Sequence, residues 1–235
     1  VFVDDGGTFT IGNVTITQNG IYTAFCVFLG FLGCLLLNGA LLLLLPSSPV
    51  YAGRTTVTVF FVLGGAVVLA SAPSLMQGVN LGADDCPFHL NRNEGIVEGL
   101  RNGQFPVRVN TMAKNGYGYS TSLFYGELFL YFPAILRLLG ATIQQAWNTF
   151  IIGFHILTAV ISYRSFKPIF GQRIALVGAV LYLLSPYRLH RIYRSAALGE
   201  YLAVTFLPAI VYGLWLLYCH TDDAKARRRG GLILA

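Results

Sequence analysis

The sequence predicts an all-α integral membrane protein, a polytopic bundle of helices interrupted by one long polar loop. Three observations predict it. Charged residues make up 11% of the 235-residue chain, against roughly 25% in ordinary soluble domains. Hydrophobic residues make up 55%, and the mean hydropathy is +0.63. Apolar runs long enough to cross a bilayer recur along the chain, and lysine and arginine gather between them. A soluble fold of this length could not hide so much apolar surface, whereas in a bilayer that surface can face outward.

Residues 1–20 differ from the rest. Phe9, Ile11, Val14 and Ile16 alternate with Thr and Asn, and Asp4-Asp5-Gly6-Gly7 reads as a turn, so one or two β-strands are expected, the tail of an extramembrane β segment. Residues 21–45 are the clearest span: twenty-five residues without a charge reach about 37 Å as a helix. Pro46 ends the run. Further spans are expected at 57–73, 146–163, about 171–187, and 201–219. Residues 221–235 read as a basic loop and the start of another span. With Val1 in place of an initiator Met and an apolar tail at Gly231-Leu232-Ile233-Leu234-Ala235, the chain is expected to be a piece of a longer protein.

Two stretches resist a simple reading. Residues 74–122 form a loop of 49 residues that holds most of the polar chemistry, and a loop that long is usually functional. Residues 123–140 are apolar but contain Glu127, Pro133 and Arg137. A charge inside a span costs on the order of 3 kcal/mol, so this stretch reads either as a span or as a helix lying in the interface.

The choice sets the topology. With Lys225, Arg227, Arg228 and Arg229 in the cytoplasm, Arg164, Lys167 and Arg173 are cytoplasmic too, and residues 188–200 are outside. If 123–140 crosses, eleven Lys/Arg fall inside and four outside; if not, the split is eight and eight. The positive-inside rule alone prefers crossing. The net charge of +6 is explained by these helix-end cations, which touch anionic lipid, and no nucleic-acid partner is expected. Of the four cysteines only Cys86 lies in a loop, and no CxxC pair signals zinc or a disulfide framework.

Within the loop, Asp84-Asp85-Cys86-Pro87 opens a helix: Asp85 is a good N-cap and Pro87 suits the first turn. The helix is expected to run to about Asn102, with Gly103 as its C-cap residue. Asp85, His89 and Arg92 then follow at spacings of four and three and would line one face from its N-terminus. That arrangement suits an anion, with a carboxylate at hand as a base. The plainer alternative is that Asp85 only caps while His89 and Arg92 face lipid headgroups. Asp84, His89 and Glu94 could ligate a metal, but their spacing fits no familiar motif. Glu94, Glu98 and Arg101 read as an ion-paired, solvated surface. Aromatic and glycine residues alternate from Phe105 to Tyr125, a composition suited to the interface or to flat faces for a sugar. A second polar group, Ser185-Pro186-Tyr187-Arg188, continues through Arg191 and Arg194 to Glu200. Arginines at every third residue make a basic stripe on a helix, serving either as a membrane anchor or as a clamp for a lipid-borne phosphate.

These residues resemble a known family. Asp85, His89, Arg92, Gly103-x-Phe105-Pro106-x-Arg108, Gly116-Tyr117-Gly118-Tyr119, Phe124-Tyr125 and Leu130-Tyr131-Phe132-Pro133 are similar to bacterial membrane proteins labelled "6-pyruvoyl-tetrahydropterin synthase-related". So is Ser185-Pro186-Tyr187-Arg188 with Arg194 and Ala197-Leu198-Gly199-Glu200. Proteins of this kind look like GT-C glycosyltransferases, and the similarity covers about residues 57–220. It implies a GT-C-like bundle, multi-pass in the bacterial inner membrane, whose long extracytoplasmic loop carries interfacial helices, with 123–140 among them. It also implies a sugar donor on a polyprenyl phosphate. Asp84 or Asp85 would be the base, and His89, Arg92, Arg108, Tyr187, Arg188, Arg191, Arg194 and Glu200 would bind substrate. Some GT-C enzymes use a divalent metal and others do not, so the metal stays open, as do the sugar, the acceptor and the oligomeric state. The alternative is a non-catalytic transporter or scaffold for lipid-linked glycans.

Overall fold

The computed structural model describes residues 2–4, 8–11, 14–17, 52–77 and 79–235. The run 21–45 lies outside the described residues. The N-terminal segment holds three strands rather than one or two: β1 (Phe2–Asp4), β2 (Thr8–Ile11) and β3 (Val14–Thr17). They pair antiparallel in the order β1-β2-β3, with Val3 opposite Phe9 and Phe9 opposite Ile16. At three residues, β1 is too short for side-chain alternation to announce it.

The rest is helical: α1 (Ala52–Gln77), α2 (Cys86–Arg101), α3 (Tyr131–Leu138), α4 (Ile143–Leu183), α5 (Pro186–Tyr193), α6 (Leu198–Cys219) and α7 (Ala224–Leu234). Among the described residues, three segments are long and apolar enough to cross a membrane: Val57–Met76, Ile143–Tyr193 and Leu198–Cys219. The expected spans at 57–73 and 201–219 fall within the first and third. Residues 123–140 contain no such segment. Their longest helical run, Leu128–Leu138, rises about 17 Å, little more than half the hydrocarbon thickness.

Two spans were expected at 146–163 and about 171–187. Instead α4 runs through the charged stretch and reverses at a single residue. Gly171 has φ 78° and ψ 168°, a region open essentially to glycine alone. A straight helix would hold Phe166 and Tyr182 about 24 Å apart, yet their rings lie 6.2 Å apart. Residue 178 also faces Phe166, 3.2 Å from where its Cβ would stand. Thus α4 is a hairpin of two limbs.

The helical part divides into two compact units. One gathers α1 before Pro73, most of α4, and α6 beyond Leu202. Its core joins Val62, Ala66 and Ala70 of α1 to Ala159, Leu176, Val180 and Leu183 of α4. Small residues there let helix backbones approach, the main source of helix association where lipid is as apolar as the side chains. Buried polar links add direction: the Thr158 and Thr205 hydroxyls lie 3.1 Å apart, and Tyr182 donates to the Val204 carbonyl at 2.6 Å. Helix α7 is capped by Asp223, whose carboxylate accepts from the Lys225 and Ala226 amides, and Gly230 lies against the Gly213 carbonyl of α6. The other unit comprises Pro73–Gly153 and His190–Tyr201 and holds the polar chemistry.

Gly171→Ala should lower the stability of the detergent-solubilised protein by about 1–3 kcal/mol, because alanine pays steric strain at this dihedral pair. Gly231→Ala, where an added Cβ meets open space, should leave thermal unfolding near wild type. Equal melting curves for the two variants would contradict the glycine-dependent reversal.

Candidate functional site

Helix α2 forms where the sequence punctuation places it. Asp85 occupies the N-cap position, Pro87 lies in the first turn, and Gly103, at φ 75°, follows the C-cap Asn102. One detail differs: the Asp85 side chain makes no capping hydrogen bond. The helix is packed closely by the segment that follows it. A Cβ on Gly95 would collide with the Asn110 side chain, and one on Gly99 would come within 2.7 Å of Val107. Asn110 donates to the Asn91 side chain at 2.9 Å and pairs with Tyr119 through both backbone bonds. A short ribbon therefore lies along α2, turning through left-handed Lys114 and Asn115 (φ 54° and 57°).

Two ion pairs fasten the apolar segment 127–138 to α2. Arg137 grips Glu94 with both Nε and Nη2, at 2.8 and 2.9 Å, and donates to the Ala141 carbonyl. In the reverse sense, Arg92 of α2 faces Glu127 at 3.6 Å, with side chains 3% and 8% exposed. At that distance the contact is an ion pair without a hydrogen bond. The expectation that Glu94 belongs to a solvated surface is thus corrected. Its carboxylate is half-buried and bidentate, and it holds the Arg137 guanidinium above its ordinary pKa.

Arg92 is the centre of the unit. Its guanidinium lies over the rings of Tyr125 and Phe88, at 4.9 and 5.6 Å, a favourable placement for a planar cation. Nη1 donates to Nδ1 of His89 at 3.2 Å. Arginine can only donate, so Nδ1 accepts and the proton sits on Nε2. Burial, helped by the Arg92 charge, lowers the His89 pKa to about 4, so the imidazole is neutral at pH 7. Burial also lowers the Arg92 pKa, with Glu127 opposing it. Next to them, Cys86 is a buried thiol pushed up to about 12 by desolvation, which makes it chemically inert.

Beside Arg92 opens a cavity of about 390 Å³, walled by Phe88, Asn91, Asn110, Lys114, Tyr119 and Thr121 among others. No spacing rule pointed to Lys114 or Thr121, because the ribbon that brings them to α2 depends on Gly95 and Gly99 being bare.

The acidic pair lies at the opening of α2. Asp84 and Asp85 are exposed, while His89 and Arg92 are buried. Of the three residues expected to share a face, Asp85 is exposed at the N-cap while His89 and Arg92 are buried. The backbone amides of Asp84 and Asp85 donate to the carbonyls of Arg194 and Ser195. Asn80 donates to the Tyr193 carbonyl at 2.6 Å, and the Arg194 guanidinium sits 3.5 Å from Asp84. Residues 80–85 and 193–195 are thus laced together, so the segment before α2 lies against the segment that follows α5.

The basic stripe does not act as one surface. Arg188 is 1% exposed and bonds Nδ1 of His155 at 2.8 Å and the Thr158 hydroxyl at 2.6 Å. Arg191 pairs with Glu200 at 2.9 Å. Arg194 lies beyond the end of α5 and reaches Asp84. Tyr187 and Arg108 are exposed. Among the described residues no group of three or more His, Cys, Asp or Glu is placed to hold a metal. No family model matches the chain, and neither a curated protein nor a solved structure matches it.

The Glu94–Arg137 pair should couple strongly. In a double-mutant cycle with Glu94→Gln and Arg137→Gln, unfolding in detergent should give an interaction of about 1–3 kcal/mol; additive losses would mean the pair does not fasten the segment. His89 sets a pH dependence. Its folded pKa lies below the ordinary 6.5, so its contribution to stability is whole above pH 6.5 and is lost as pH falls from 6.5 towards 4. The difference in stability between wild type and His89→Gln should shrink over that interval, by on the order of 1–3 kcal/mol. A difference constant from pH 7.5 to 4 would contradict the buried neutral imidazole.

Proposed function

We propose that the chain is the membrane part of a GT-C-like glycosyltransferase of the bacterial inner membrane. Its substrate is a sugar carried on a polyprenyl phosphate, used at the extracytoplasmic face in cell-envelope glycan assembly. The observation that carries this reading is the pair of exposed carboxylates, Asp84 and Asp85, at the opening of α2, with a guanidinium 3.5 Å from one of them. The linked motifs described above supply the chemical class. An acceptor hydroxyl attacks the anomeric carbon, the bond from that carbon to the phosphate oxygen breaks, and polyprenyl phosphate leaves with the electron pair. The hydroxyl proton passes to Asp84 or Asp85. Arg194 and Arg92 are the cations that oppose charge building on the leaving phosphate.

One observation favours a second reading, a non-catalytic transporter or scaffold for lipid-linked glycans. Asp84 is already engaged by Arg194, as a carboxylate kept for structure would be. The two readings part on a single substitution. In proteoliposomes given a radiolabelled polyprenyl-phosphate sugar, Asp85→Asn should reduce sugar release or transfer at least about 100-fold, with donor binding nearly unchanged. Asparagine caps a helix about as well as aspartate, so folding should be preserved. Full turnover by Asp85→Asn and by Asp84→Asn would remove the acidic pair from the chemistry. Wild-type binding without any turnover would favour the scaffold.

A further inference from the structure

We propose that the cavity beside α2 is a phosphate site, with the phosphate seated on Arg92, Lys114 and Thr121 and the remainder of the ligand lying between Phe88 and Tyr119. Arg92 is 4% exposed, Thr121 is 3% exposed, and both line the cavity. Two of the guanidinium nitrogens, Nε and Nη2, have no hydrogen-bond partner, and neither has the Thr121 hydroxyl. Glu127 stands 3.6 Å from Nη2, close enough to steady the charge and too far to satisfy the donor. Buried donors left open are costly and uncommon, and a guanidinium more so than an amide.

The open groups also have one character. The acceptors near them are already used: Asn110 Oδ1 takes the Met112 amide, and Asn91 Oδ1 takes the Asn110 amide. What remains is a guanidinium, a hydroxyl and the Lys114 ammonium, which lies 5.9 Å from the Tyr119 ring centre. Such a wall calls for a ligand rich in acceptors and negative charge. Phosphate suits it, because two cations face the space while Glu127 offsets only one. A cavity of about 390 Å³ is larger than a bare phosphate needs, and the flanking rings offer flat faces for a hydroxylated ring such as a sugar. Lys114, Thr121, Asn91, Asn110 and Tyr119 are thereby given a role that no spacing in the sequence announced.

This site deepens the reading above. It rests on that reading only for the carrier of the phosphate, which would be a prenyl chain in place of a soluble sugar. The test uses the full chain in neutral detergent, titrated by calorimetry with farnesyl phosphate, with farnesol as the uncharged control, and separately with glucose 1-phosphate and inorganic phosphate. Wild type should bind farnesyl phosphate saturably and farnesol not. Lys114→Gln should weaken binding about tenfold and Thr121→Val several-fold, as expected for lost charge-assisted and neutral hydrogen bonds. Arg101→Gln, an exposed cation outside the cavity, should bind like wild type. Arg92→Lys should weaken binding at least tenfold because lysine lacks the fork. If that variant does not fold, the Lys114 and Thr121 variants decide. Unchanged affinity in both of them, or no saturable binding of any phosphate compound, overturns the site. Glucose 1-phosphate or inorganic phosphate binding where farnesyl phosphate does not, with the same loss in Lys114→Gln, supports the site and removes the lipid carrier. A loss of turnover in Asp85→Asn with cavity binding intact bears on the transfer chemistry alone.

Discussion

The polar unit depends on a reciprocal exchange of charge between α2 and the segment after it. Helix α2 contributes Arg92 and Glu94, and residues 127–138 return Glu127 and Arg137. Each element thus carries one acid and one base, and each charge meets its opposite in a half-buried or buried place. A buried charge is tolerable only when paired, so separating the two elements would leave four ionised groups without their partners. Everything else in the unit follows. The rings of Phe88 and Tyr125 stack on Arg92, His89 is held neutral beside it, and the 107–121 ribbon closes over Gly95 and Gly99.

The same exchange explains why residues 123–140 read so poorly as a span. Glu127 and Arg137 are charges in an apolar stretch, and the sequence alone offers them lipid as company. Their partners lie 35 and 43 positions away, separations that no helical or strand period links. The raw lysine and arginine count preferred a crossing, but residues 123–140 hold no segment long and apolar enough to cross, and the charges that interrupt them are paired with α2. Hydropathy and counting see composition, and here the deciding quantity is pairing.

Local grammar was far more legible. The bounds of α2 could be read from Asp85, Pro87 and Gly103 because each acts on its own backbone or its nearest neighbours. The spans at 57–73 and 201–219 were visible because desolvation of a continuous apolar run needs no partner. Legibility ended where a side chain chose between neighbours. Arg188, Arg191 and Arg194 keep a helical spacing, yet α5 stops at Tyr193 and the three reach His155, Glu200 and Asp84. Spacing along the sequence therefore did not give the contacts of these side chains. Asp85 is exposed where His89 and Arg92 are buried, and Lys114 and Thr121 join Arg92 through a ribbon whose path is set by bare glycine backbone. The reversal at Gly171 was equally hidden, since a polar stretch with one glycine reads as a loop and not as a helix folded on one residue.

Arg188 has a consequence for how the chain is made. Its guanidinium lies deep within the α4 hairpin, held by Nδ1 of His155 and by Thr158. Both ligands belong to the first limb, synthesised some thirty residues earlier, and the tight reversal at Gly171 brings that limb back alongside as the second one emerges. The cation therefore meets acceptors already synthesised when it emerges, and it needs no later helix to satisfy those bonds. Order of synthesis, as much as final packing, makes a buried arginine tolerable there.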